Sequence, residues 1–365
     1  MFGPAPGYSA APQAYKWSVQ YLIDNSQSVF GRSQAVYPRA NRAIAISPDG
    51  NFLYAAYIQS FTNGPALRPR DSRMTPTGEV RKIDLRIPDY EDATKAVLPY
   101  HRAKALAVDD KGRVYLAEGD SIEVYDADLR NPLLTIPMED CNGVTVTREG
   151  GDTVLYATER DACELHRFII DTRFGGGQAT PAGLSGNGIA KIRGARSLRG
   201  AAVDPHGKIW MADPEAGMVF RVDAASGRQD SAAVRDAFAI GFYDDTALVA
   251  RNVDRQIALV SLDMVVTGNL SVPWEELELS PYGNDHDGAL TGIAVMPNGK
   301  GFYLANEHGQ TANQKSTYGR TDQSSEVIGG KLYTDAYGDD NEPILRAVPV
   351  EMQDANAAAA PVAGQ

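Results

Sequence analysis

Four stretches of the chain are written on one plan: NRAIAISPDGNFLYAAY (41–57), HRAKALAVDDKGRVYLAE (101–118), LRGAAVDPHGKIWMAD (198–213) and LTGIAVMPNGKGFYLAN (290–306). Each begins with an alternation of small and apolar residues, passes through a turn, and continues as a β-branched and aromatic run that ends in small residues. Alternation with a period of two marks a strand, and Pro, Asp, Asn and Gly set the φ angles of a tight hairpin. Aligned on a small residue (Ala43, Ala103, Gly143, Gly200, Ala239 and Gly292), six segments share the plan, at intervals of 60, 40, 57, 39 and 53 residues. Third β-rich runs follow them: GEVRKIDLR, SIEVYDAD, CELHRFIID, GMVFRVDAA, QIALVSLD and GGKLYTDAY.

A four-stranded unit recurring about every 40 to 50 residues is the sequence signature of a β-propeller. An elongated β-solenoid repeats at shorter intervals, and a two-layer sandwich does not repeat in this way. The expectation is an all-β chain: a single six-bladed β-propeller of four-stranded antiparallel blades over residues 15–350. An N-terminal arm (1–14) and a C-terminal tail (351–365) flank it. Open sheet edges invite aggregation, so the ring must close. YKWSVQYLID (15–24) is the strand expected to complete the last blade, with EPILRAVPV (342–350) as a competitor.

The composition bounds the partners. The 365 residues carry a net charge of −12, which argues against a general attraction to nucleic acid or anionic membrane. No apolar run approaches the roughly 20 residues of a spanning helix. The first fifteen residues show neither the basic nor the apolar region of a secretory signal, and the localisation is left open. Cys141 and Cys163 are too few to define a disulfide framework, and two readings stand for them: a bond, or two separate thiols.

With these motifs in view, the 198–213 and 101–118 segments resemble NHL-type propeller repeats. The 41–57 segment also resembles the repeats of bacterial surface-layer and lactonase-type propellers. CNGVTVTREGGDTVLYATE (141–159) is similar to a blade of the senescence-marker, gluconolactonase and strictosidine-synthase group. That last resemblance implies a channel cation held by Glu, Asn and Asp. Asn142 matches the asparagine, Arg199 stands where the aspartate would be, and the glutamate has no counterpart near Asn41. A guanidinium beside a dication is repulsive. The expectation is therefore no cofactor, with Ca2+ at Asn142 as the alternative.

Candidate sites come from three places. Arg42, Arg102 and Arg199 fall at one position of the repeat, at the start of the inner strand. Converging there, they would bind a small anion in the channel; the other reading has each pairing across a blade boundary and sealing the ring. GNDHDG (283–288) offers Asp285 and Asp287 as hard oxygen ligands suited to calcium, and otherwise reads as an Asx-rich turn. His101, His286 and His308 fall at strand ends on the same face, where convergence would permit hydrolysis. The two longest insertions, Ser60–Gly78 and His308–Glu326, belong to blades that ring closure makes neighbours. Phe61, Arg68, Arg70 and Arg73 in one, and Tyr318 and Arg320 in the other, suit recognition of a protein or glycan surface. The function expected is non-catalytic binding or a structural role, in an assembly or on a cell or virion surface. The alternative is a metal-dependent lactonase or esterase.

Overall fold

A computed structural model describes residues 16–21, 37–61, 77–86, 94–99, 101, 103–172, 177–252, 256–271, 288–297, 302–308, 327–328, 331–332 and 345–350. The fold is an all-β propeller of four-stranded antiparallel blades. The first blade comprises Tyr37–Ile46, Phe52–Phe61, Thr77–Asp84 and Thr94–Pro99. Ala105–Val108, Val114–Ala117, Ser121–Tyr125 and Pro132–Pro137 form the second. The third is Cys141–Glu149, Asp152–Glu159, Glu164–Asp171 and Gln178–Pro181. The fourth has Ala201–Val203, Ile209–Asp213, Met218–Val222 and Gln229–Ala233. Ala237–Tyr243, Thr246–Arg251, Gln256–Ser261 and Val266–Ser271 complete the fifth. In every blade the chain order is the spatial order.

A further sheet joins the two ends of the sequence. Gly288–Val295 pairs with Phe302–His308, which pairs with Leu345–Val350, which pairs with Lys16–Tyr21. The N-terminal strand thus takes the outer place expected of it. The third place corrects the sequence reading. GGKLYTDAY does not fill it; its residues Lys331–Leu332 form only a short hairpin with Val327–Ile328. Leu345–Val350, expected to compete for the outer place, is third, with Phe302 opposite Ala347.

Burial follows radial position. The first strands of neighbouring sheets touch one another, so they are innermost. The second strands lie between neighbouring sheets on both faces: Val114–Ala117 and Ile209–Asp213 are buried at every position. A strand covered on both sides must be apolar without alternation, which is why these runs read VYLA and IWMA; the buried Asp213 that ends the second accepts from the amides of Arg196, Ser197 and Ala216. Outer strands such as Gln178–Pro181 are largely exposed. The core is therefore a set of seams. One, for example, packs Tyr54 and Ala56 of the first blade on Leu106 and Leu116 of the second. Another packs Ile44 and Leu53 of the first blade on Ala294 and Tyr303 of the closing sheet.

The hairpin between first and second strands is held by a recurring device. In the second blade Asp109 Oδ1 accepts from the amides of Lys111 and Arg113, and Oδ2 accepts from the Tyr115 hydroxyl at 3.0 Å. In the fourth, Asp204 Oδ1 accepts from His206 and Lys208, and Oδ2 from Trp210 Nε1 at 2.9 Å. Gly112 and Gly207 sit at φ 79° and 78°, the left-handed geometry that this turn needs and glycine supplies. One carboxylate thus ties the turn to the buried aromatic of the next strand.

Candidate functional site

Four inner strands carry a β-bulge at the repeat's ring position. The register shifts between Asn41 and Ala43, Cys141 and Gly143, Ala237 and Ala239, and Leu290 and Gly292. The bulged residues are Arg42, Asn142, Phe238 and Thr291. Bulges re-aim a side chain, and they gather at barrel rims and functional sites. The fourth blade places Arg199 at the same level by a different route: its amide donates to Ala212 O and the next amide, Gly200, donates to Phe238 O of the fifth blade.

The second blade corrects the sequence alignment. Ala105 pairs with Ala117 as Gly143 pairs with Thr158, so the residue at the ring position is Lys104, and its amide donates to Ala117 O. Arg102 lies two residues earlier, outside the described residues. Alignment on the turn, with Asp109 and Gly112 against Asp204 and Gly207, finds Lys104 directly; alignment on arginine does not.

The ring positions bond to one another across the seams. Arg199 donates from a terminal nitrogen to Asn142 Oδ1 at 2.8 Å, and its guanidinium lies 5.7 Å from the centroid of the Phe238 ring. Asn142 Nδ2 donates to the Asp140 carbonyl and to Asp140 Oδ1, at 2.9 and 3.0 Å. Lys104 Nζ stands 3.6 Å from Asp140 Oδ1, and Arg160 Nε 3.0 Å from Oδ2. A polar belt thus runs from the second blade to the fourth, where the Arg199 guanidinium meets the Phe238 ring of the fifth. Of the two readings of the arginines, Arg199 makes a cross-blade bond, to the amide oxygen of Asn142. Arg42 stands at a bulge as a backbone position; its side chain lies outside the described residues.

The belt bears on the cation that the resemblance implied. An amide ligates a hard cation through its carbonyl oxygen, and Asn142 Oδ1 takes the Arg199 hydrogen bond. The guanidinium sets a positive charge beside that oxygen, where the implied cation would stand. Asp285 and Asp287 lie outside the described residues, as do Arg68, Arg70, Arg73, Tyr318 and Arg320. Phe61 ends the second strand of the first blade and His308 that of the closing sheet.

Two histidine clusters stand on this face, and neither is the one expected from sequence. His101 does not meet another histidine among the described residues. Its Nδ1 lies 3.2 Å from Glu118 Oε1 and 3.7 Å from Glu123 Oε2, with the Tyr125 hydroxyl 3.4 Å from Nε2. Burial works to lower its pKa, but the Glu118 hydrogen bond and the charges of Glu118 and Glu123 outweigh it and hold the pKa above its ordinary value. The second cluster is His166 with Glu159 and Glu164. Sequence reasoning passed over His166 because it sits within a strand, on no motif; the signal was the cross-strand register, which is invisible without the pairing.

Cys141 and Cys163 are both buried free thiols, so they are not bonded to each other. Burial raises the Cys141 thiol to about 12, well out of the reactive range.

No family model and no curated protein matches the chain. Among solved structures, the RRP9 WD40 repeats superpose with a TM-score of 0.52 at 9% identity, covering 91% of this chain and 99% of that one. A Bacteroides fragilis protein provisionally assigned as a 6-phosphogluconolactonase gives 0.46 at 15% identity, over 72% and 76%. A Bacteroides caccae protein of unknown function gives 0.46 at 12%, over 65% and 82%. At 9% identity the likeness to the RRP9 repeats shows the propeller fold alone.

Proposed function

We propose that residues 15–350 form one six-bladed propeller that acts as a non-catalytic binding or structural module, with residues 1–14 and 351–365 as its arm and tail. The count of six is supported by the seams. Each sheet shares a core with the next, and the closing sheet shares one with the first blade.

The observation that carries the binding reading is where the two long insertions are rooted. One leaves the first blade after Phe61 and re-enters at Thr77; the other leaves the closing sheet after His308 and re-enters at Leu345. Both depart from the end of a second strand, on the face of the bulged ring positions, and the two sheets share a seam. Their roots are neighbours on a rigid scaffold, the arrangement in which binding loops are found. Arg68, Arg70, Arg73, Tyr318 and Arg320, with Phe61 at one root, supply the aromatic and guanidinium anchors that dominate recognition of protein or glycan surfaces. The hydrolase reading is disfavoured by the hydrogen bond that occupies Asn142 Oδ1.

Replacement of residues 62–76 and 310–326 by short Asn-Gly turns tests the reading. Melting stays nearly unchanged, and the partners that cross-link to the parent chain, or the glycans it retains on an array, are lost. Unaltered binding by the replaced protein refutes the proposal. A lactone and ester panel with and without chelator addresses the alternative; chelator-sensitive turnover supports it.

A further inference from the structure

The geometry points to a transition-metal site on the third blade, built from Glu159, Glu164 and His166, in which a zinc-like divalent ion takes two carboxylate oxygens and one imidazole nitrogen. None of its three residues is a ring position or belongs to an insertion.

The backbone prepares it. Glu159 closes the second strand and stands directly opposite Glu164, the first residue of the third. Like charges facing each other across a strand pair repel, and a cation between them removes the cost. His166 lies two residues beyond Glu164, so the pleat puts both on one face of the sheet. Among the described residues, both carboxylates approach His166, whose Nε2 is hydrogen-bonded to Glu159 Oε2. Lys191, opposite Glu164 on an added strand, turns its ammonium to the Ala162 carbonyl instead.

The distances fit a tetrahedral ion. With zinc–nitrogen and zinc–oxygen bonds of about 2.0–2.2 Å, donor atoms at the corners of a tetrahedron lie about 3.3–3.5 Å apart. His166 Nε2 is 3.0 Å from Glu159 Oε2 and 3.7 Å from Glu164 Oε2, and one donor atom from each of the three residues falls within 4.8 Å of the others. The His166 ring stacks on Phe168, 6.2 Å between centroids and 15° between planes, which limits its rotation. The three side chains are 12%, 20% and 30% exposed, so solvent reaches the cluster and water can take the fourth position. Three protein ligands plus water is the open arrangement of catalytic zinc sites, whereas closed structural sites use four. Imidazole and carboxylate donors suit zinc or cobalt over calcium or magnesium, which prefer oxygen alone.

His101 with Glu118 and Glu123 has the same residue types and serves as the internal control. There the histidine's second nitrogen faces the Tyr125 hydroxyl, and that hydroxyl also donates to Glu123 Oε2 at 3.1 Å. There both ring nitrogens are engaged, one by Glu118 and the other by the Tyr125 hydroxyl.

The full chain, stripped with chelator and titrated with zinc chloride by calorimetry, should bind one equivalent. H166Q, E159Q and E164Q should each weaken binding at least tenfold, and H101Q should leave it unchanged. Because a variant can lose its fold, the parent chain is also examined by nitrogen NMR of its five histidine rings. Zinc should move one Nε2 resonance, that of the ring packed on Phe168. Absence of binding, binding that survives H166Q, or a zinc-dependent shift at His101 in place of His166 overturns the proposal.

Discussion

Asp204 holds its turn with one carboxylate oxygen and Trp210 with the other. Removing the carboxylate strands a fully buried indole N–H, and an unmet buried donor costs about 1–3 kcal/mol. Asp204→Ala should lower stability in denaturant melts by about that amount, and Asp204→Asn, which keeps an acceptor, by less; equal effects would mean that the indole bond contributes nothing. His101 makes the second residue-scale prediction. Its folded pKa lies above the ordinary 6.5, so its contribution to stability is complete below that pH and fades as pH rises through the folded value. The melting temperature of the parent chain should therefore exceed that of His101→Gln most below pH 6.5, with the gap closing as pH rises through the raised folded value. A gap that widens with pH would show that His101 is stabilising in its neutral form. The sequence marked Asp204 as a turn former and Trp210 as a strand former, but the bond between them depends on turn geometry that neither residue reveals alone.

At the scale of the elements, the seam between inner strands explains the small residue that recurs after each ring position. A Cβ built on Gly143 would meet Arg199 O at 2.0 Å and Thr158 Oγ1 at 2.6 Å, and the Arg199 carbonyl belongs to the next blade's backbone. Thr158 Oγ1 donates to that same carbonyl at 2.8 Å, so a side chain of the third blade is bonded to the backbone of the fourth here. Gly143→Ala must push two blades apart and should cost at least about 1–3 kcal/mol, the range for overpacked cores. Gly292→Ala, whose Cβ would meet Ala305 Cβ at 3.0 Å and Ile44 N at 3.3 Å, should cost less. Paired thermal melts of the two variants decide the order. The pattern of small residues was legible in the sequence; its cause was not, because the obstructing atom lies about one repeat away along the chain.

For the whole molecule, closure rests on strands from opposite ends of the sequence. Lys16 faces Val350 and Tyr21 faces Leu345, so removing the N-terminal strand bares the edge of Leu345–Val350. A chain starting after Tyr21 should aggregate or lose its cooperative melting transition, since an unpaired edge recruits other strands. Gel filtration with calorimetry reads both, and a monomer that melts like the parent would remove the strand from the closure. The belt of Lys104, Asp140, Asn142 and Arg199 acts at the same scale, tying consecutive blades at the level of the bulges.

The sequence by itself determined the class of fold, the hairpin turns and the strand-forming runs, and it offered the N-terminal strand as one of two candidates for the outer place. Each depends on chemistry within about twenty residues, or on the requirement that an open edge be covered. The tertiary structure decided what depends on distance. It put Leu345–Val350 in the third place of the closing sheet, where chain order suggested GGKLYTDAY, because strands pair by reach and register once the ring has formed. It put Lys104 rather than Arg102 at the ring position, because register follows the turn and not the charge. It joined Arg199 to Asn142 across 57 residues, and it brought His166 to two glutamates through a strand pairing. A side chain's partners are chosen by the strand beside it, and no residue names that strand.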